Sequence, residues 1–318
     1  MILLLRPGMS EDQMGDIMRI VTRPDFDGVV CAVLLCEAEN VRQNIYWVEP
    51  GLVQKGDADI QIGDIMANLP YDDRCSMWFD HHYTNRIPGS FNGAFSIAPS
   101  AAGVVYDYYR DRLGSDFDEL VRQADKIDSA DLTENEVLYP ENYPHVLISM
   151  TISGRNSADS FYWDKLVKLL GKGDVETAMA DSEVRERCGK IVEQNKAFQG
   201  QLLKFTQVTG PVAVTDFRSL DKAPDGNRFL VYSLFKQTVV SVKIRYDHKN
   251  KDTVILSVGH SIFNKNCKVN AGLLLSKYKG GGHFGAAACS FPAVLAEKYI
   301  PEIIQTLTLN QPLGDDTP

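Results

Sequence analysis

From Met18 onward, short apolar runs alternate with stretches of helical length. Met18-Arg-Ile-Val-Thr22 reads as a strand, Gly28 to Asn40 as a helix, and Asn44-Ile-Tyr-Trp-Val48 as a second strand. Two further runs, Asp59-Ile-Gln-Ile-Gly63 and Cys75 to Phe79, have strand length, and the spacing predicts a parallel α/β sheet. Ser100 supplies an N-cap for a helix running to Tyr109 that would pack on that sheet. Residues 115 to about 206 carry a mainly helical pattern, ending in a charged amphipathic linker over 183–207. Gly210-Pro211 then breaks the pattern. Beyond it, Pro211–Thr215, Thr238–Tyr246 and Thr253–Val258 are β-rich, and the polar turn Asp247–Asp252 joins the last two as a hairpin. The reading is therefore an α/β protein of two domains, 1–207 and 208–318, with no fixed repeat and a disordered tail at Gly314–Pro318.

Length changes little in this picture, because 318 residues suffice for two buried cores. Charge changes more. A formal net charge of −9 argues against a broad basic surface that grips long duplex DNA, so any nucleic-acid substrate should be short. Six dispersed cysteines without a C-x-x-C pair read as reduced thiols in a cytoplasmic protein. Met1-Ile-Leu-Leu-Leu5 is broken by Arg6-Pro7-Gly8, too soon for a signal peptide or membrane span, and no membrane partner is expected.

Candidate chemistry gathers where the strands end. Asp25 and Asp27 stand in the loop between the first strand and helix, Asp64 follows Gln61-Ile-Gly63, and Asp80-His81-His82 follows Phe79. In an open α/β sheet, ligands collect at the carboxyl ends of the strands. Carboxylates brought together there repel one another unless a cation neutralises them, and oxygen ligands with one imidazole suit Mn²⁺ or Mg²⁺. Taken singly, the same residues have plainer readings: Asp25 and Asp27 as a helix cap with a turn acid, Asp64 as a loop acid. Gly280-Gly281-Gly282-His283 reads either as a helix C-cap with a flexible turn or as a backbone nest for an anion.

The ordered set Asp25-x-Asp27-Gly28, Asp64, Asp80-His81-His82 and Gly280-Gly281-Gly282-His283 resembles the DHH phosphoesterase superfamily with its associated C-terminal domain. That superfamily includes RecJ-type exonucleases, nanoRNases, cyclic-dinucleotide phosphodiesterases and exopolyphosphatases. The resemblance spans nearly the whole chain. It implies a parallel-sheet DHH domain and a smaller α/β domain across a cleft. It also implies two Mn²⁺ or Mg²⁺ ions held by Asp25, Asp27, Asp64, His81 and one of Asp125 or Asp128. His82 would contact the phosphate, with Asp80 orienting the histidines. The glycine run and His283 would bind the substrate phosphate or terminal nucleotide. Arg23 and His260 would be further phosphate contacts, His260 standing where relatives have an arginine. Val21 departs from the pattern, since relatives place a metal-binding histidine there.

The implied activity is hydrolysis of phosphodiester or phosphomonoester bonds in short oligonucleotides or small nucleotides. Polyphosphate is the alternative substrate, and a catalytically weak nucleotide sensor the alternative class. The sequence leaves a homodimer open.

Overall fold

The computed structural model describes residues 18–154, 157–172 and 174–313; Met1–Leu5 and Gly314–Pro318 lie outside them. The chain divides into two compact units, Met1–Asp131 with Glu141–Ile191, and Leu132–Pro140 with Val192–Pro318.

In the first unit, β1 (Ile20–Thr22), β2 (Tyr46–Trp47), β3 (Ile65–Ala67), β4 (Met77–Asp80) and β5 (Gly93–Phe95) form a parallel sheet in the order β2-β1-β3-β4-β5. Every residue of β1, β3 and β4 is buried. Parallel strands covered on both faces read as continuous apolar runs rather than alternating ones. Helix α1 (Phe26–Glu39) starts at Asp25, whose extended backbone and side chain cap the Gly28 N–H at 2.8 Å. It ends at Asn40 in the left-handed region, φ 51°. Phe26 through Leu35 are buried without a polar face, because α1 is enclosed by α2 (Ala101–Tyr108), α3 (Asp118–Asp128) and α4 (Ser160–Leu170).

One expected strand is displaced. Asp59–Gly63 is a turn, held by the Gln61 N–H donating to Asp64 Oδ2 at 2.8 Å and by Gly63 at φ 102°. The strand begins only after Asp64. Five residues of apolar–polar alternation cannot separate a strand from such a turn, whereas Ile65-Met-Ala67, the actual strand, has no alternation to read.

Helix α5 (Ser182–Phe205) carries the chain from the first unit to the second between Ile191 and Val192, inside the stretch 183–207. The second unit also claims Leu132–Pro140, which the sequence pattern did not separate from its surroundings. Within that unit Lys236 pairs with Glu134, and Asn195 Nδ2 donates to the Val137 carbonyl at 3.4 Å.

Strands β6 (Thr206–Thr209), β7 (Val212–Asp216), β8 (Val240–Tyr246), β9 (Thr253–His260), β10 (Gly281–His283) and β11 (Ala286–Pro292) form a sheet in the order β10-β11-β9-β8-β7-β6. Only β7 and β8 run parallel. The predicted hairpin is β8 with β9, registered from Val240↔His260 to Tyr246↔Val254. Its alternate valines, isoleucine and leucine form a core with α6 (Ala271–Ser276) and α7 (Ala296–Leu309). All six cysteines are free thiols, and among the described residues no helix is long and apolar enough to cross a membrane.

Candidate metal centre

Parallel register decides which residues share an edge of the first sheet. Ile20, Ile65 and Met77 lie level, as do Thr22, Ala67 and Phe79. The residues that follow therefore emerge together at the carboxyl edge: Arg23 to Asp27 after β1, Asn68 after β3, and Asp80 to His82 at the end of β4. Ser96 to Ala98 follow β5, because Asp80 pairs with Phe95.

His81 is the pivot. Its Nδ1 lies 2.9 Å from the Ala98 carbonyl, to which it donates, so Nε2 is the unprotonated nitrogen of the neutral ring. Nε2 is buried without a hydrogen-bond partner, 3.9 Å from Asp27 Oδ2 and 3.4 Å from Asp128 Oδ2. One ligand atom from each of Asp27, His81 and Asp128 lies within 4.8 Å of the others. An imidazole lone pair facing two carboxylates, with no proton donor between them, fits a hard divalent cation.

Asp27 is 2% exposed and accepts the Ala101 and Ala102 N–H groups at 2.9 and 2.8 Å, which fixes both oxygens at the start of α2. Its carboxyl is held well above the usual range, first by burial and then by the charges of Asp128 and Asp25. Burial likewise pushes Asp25 up to about 6, against the opposing pull of Arg23. A cation would relieve this repulsion.

Asp80 is fully buried, and its oxygens face His82 Nδ1 and Asn85 Nδ2, each at 2.8 Å. The hydrogen bond to His82 raises the pKa of that ring, outweighing burial. Asp80, His81 and His82 also lie close enough to form a second ligand group. Of the two acids on α3, Asp128 faces His81, whereas Asp125 accepts the Ser100 hydroxyl at 2.6 Å.

Asp64 does not join them. It lies level with Arg19 at the amino edge, four residues before Asn68 at the carboxyl edge, roughly 13 Å away at about 3.3 Å per residue. There it is buried and salt-bridged to Arg19 at 2.8 Å. The expectation that it contributes a ligand is corrected for this reason.

The residue that sequence reasoning missed is Asn68. It is 1% exposed at the carboxyl end of β3, with φ 57° and its N–H donating to the Phe79 carbonyl at 3.0 Å. Its Nδ2 donates to Asp25 Oδ1 at 3.0 Å, and its Oδ1 is buried without a partner. An asparagine before Leu69-Pro70, after three apolar residues, was the available signal: asparagine tolerates the left-handed region where a strand breaks into a turn. Arg23 pairs with Asp25 at 3.1 Å, and Val21 is fully buried in β1.

In the second unit, Gly281 to His283 form the exposed edge strand β10, paired Gly281↔Ala288 to His283↔Ala286, where a loop was expected. The run is strand because it must lie flat on β11: a Cβ at Gly280 would sit 2.4 Å from the Ala288 carbonyl oxygen. His260 has Nε2 at 2.9 Å from the Val269 carbonyl, and burial lowers its pKa. That contact ties the end of β9 to the Val269 carbonyl.

No protein-family model and no curated protein matches the chain. Solved structures do. A pGpG-specific phosphodiesterase, PggH from Vibrio cholerae, superposes with TM-score 0.82 at 29% identity, covering 92% of this chain and 99% of that one. An exonuclease RecJ bound to manganese gives TM-score 0.53 at 13% identity over 91% of this chain and 89% of that one. RecJ of Thermus thermophilus in complex with Mn²⁺ gives 0.57 at 13% over 93% and 53%. The chain has the fold of the DHH phosphoesterase superfamily.

Proposed function

We propose that the protein is a divalent-metal-dependent phosphodiesterase of short oligonucleotides, with the dinucleotide pGpG as first candidate substrate. The observation that carries this is the buried, unpartnered Nε2 of His81 facing Asp27 and Asp128. The likeness to the pGpG-specific enzyme over almost its full length supports the substrate class.

Asp27, His81 and Asp128 would hold Mn²⁺ or Mg²⁺, which when bound polarises a phosphoryl oxygen and acidifies a water. The remaining work falls to the protein. His82, whose pKa Asp80 raises, would present its other nitrogen as a donor to the charge that grows on the phosphoryl oxygens. Asp80 fixes the ring and, through Asn85, is itself fixed. Arg23, half-exposed at the same edge, adds a guanidinium for a non-bridging oxygen.

The test is hydrolysis of pGpG, a dinucleotide of other sequence, pyrophosphate and polyphosphate, each with Mn²⁺ and with chelator. Metal-dependent cleavage of dinucleotide, abolished in His81→Ala, is expected. Phosphate release from pyrophosphate or polyphosphate alone would overturn the substrate class.

A further inference from the structure

We infer that the protein before substrate arrives holds one divalent ion, at Asp27, His81 and Asp128, and that Arg23 and Asn68 take the place of a second. This rests on the reading of that cluster as a metal site. It concerns how the neighbouring acid, Asp25, is neutralised.

Asp25 is already satisfied from within the chain. Its Oδ1 accepts the Gly28 N–H at 2.8 Å and the Asn68 amide at 3.0 Å, and its Oδ2 faces the Arg23 guanidinium at 3.1 Å. Three donors, one of them a full positive charge, surround the carboxylate where a cation would otherwise be needed. The orientation of the Asn68 amide follows from the same contact, because only Nδ2 can face an acceptor.

The strand end that should supply an additional anionic ligand supplies none. Asn68 offers a neutral oxygen, while the acid of that segment, Asp64, is bound to Arg19 at the far edge. Val21 contributes only packing. Charge balance agrees: Asp27 and Asp128 match one dication, and Asp25 matches Arg23. A second ion would sit against a guanidinium and two N–H groups, and like charge would repel it. Asn68 is thus a positioning residue that limits metal stoichiometry.

The experiment is calorimetric titration of chelator-stripped protein with Mn²⁺, with free Mn²⁺ counted by its paramagnetic resonance signal. One ion per chain is expected in the wild type. Asn68→Asp replaces the donor with a carboxylate, and Arg23→Gln removes the internal cation. Each is expected to bind a second ion at least about tenfold more tightly than the wild type. Arg23 is half-exposed, so its replacement keeps the test available if Asn68→Asp does not fold. Two ions of similar affinity in the wild type, or one ion in both folded variants, would overturn the inference alone. No bound ion in any form would overturn the metal reading of the cluster itself, whatever the activity.

Discussion

At the residue scale, the site is governed by what each imidazole can do with its two nitrogens. His81 spends Nδ1 on the Ala98 carbonyl and leaves Nε2 without a hydrogen-bond partner, whereas His82 spends Nδ1 on Asp80, which raises its pKa. Replacing His82 with Gln should lower kcat by about 10²–10⁴-fold with little change in Mn²⁺ affinity. His81→Ala should instead lose the ion, which the same calorimetry reads directly. Asp80 also sets a pH limit. Because its hydrogen bond raises the His82 pKa, the protonated ring persists above the ordinary imidazole range, and Asp80→Asn should move the alkaline limb of the rate profile to lower pH. A profile unmoved by that change would remove His82 from the proposed role.

At the element scale, two glycines decide whether the site segments can exist. A Cβ on Gly28 would lie 1.9 Å from the Arg23 carbonyl oxygen, so Gly28→Ala should displace the Asp25 loop and weaken Mn²⁺ binding as well as stability. A Cβ on Gly280 would collide with β11, whereas one on Gly281 meets nothing within 4 Å. Denaturant melts should therefore find Gly280→Ala destabilised by about 1–3 kcal/mol and Gly281→Ala close to wild type. The sequence carried this run as three equivalent glycines in a loop. Which of them is required follows from the pairing of β10 with β11, which local pattern does not encode.

At the scale of the whole molecule, the buried acids make stability depend on pH and metal together. Asp25, pushed up to about 6, and Asp27, raised further, hold their protons more tightly folded than unfolded. Metal-free protein should therefore lose stability as pH rises from the ordinary carboxylate range near 4 through 6 and beyond. His82 acts in the same direction, since its charged pair with Asp80 is complete at low pH and lost as pH rises through the raised value. Mn²⁺ binding to the deprotonated cluster of the folded state would be worth about 2.7 kcal/mol at a hundred times the dissociation constant. The rise in Tm on adding Mn²⁺ should thus be larger at pH 7.5 than at 4.5; equal rises would contradict the assignment of buried acids to the site. With a net charge of −9, duplex DNA should not be retained even at low salt.

By itself the sequence determined the alternation of strand and helix, the β8–β9 hairpin, and the placement of Asp25, Asp27 and Asp80–His82 beside strand ends. These are local matters of apolar run length, capping and turn chemistry, legible within a dozen residues. Tertiary structure alone decided that Asp64 faces Arg19, that Asn68 stands in the site, that Asp128 rather than Asp125 faces His81, and that Leu132–Pro140 packs with the second unit. Each of these turns on strand register or on which helix face meets a neighbour. A shift of a few residues along β3 moves a carboxylate from one edge of the sheet to the other, and nothing in the local sequence records where the strand begins.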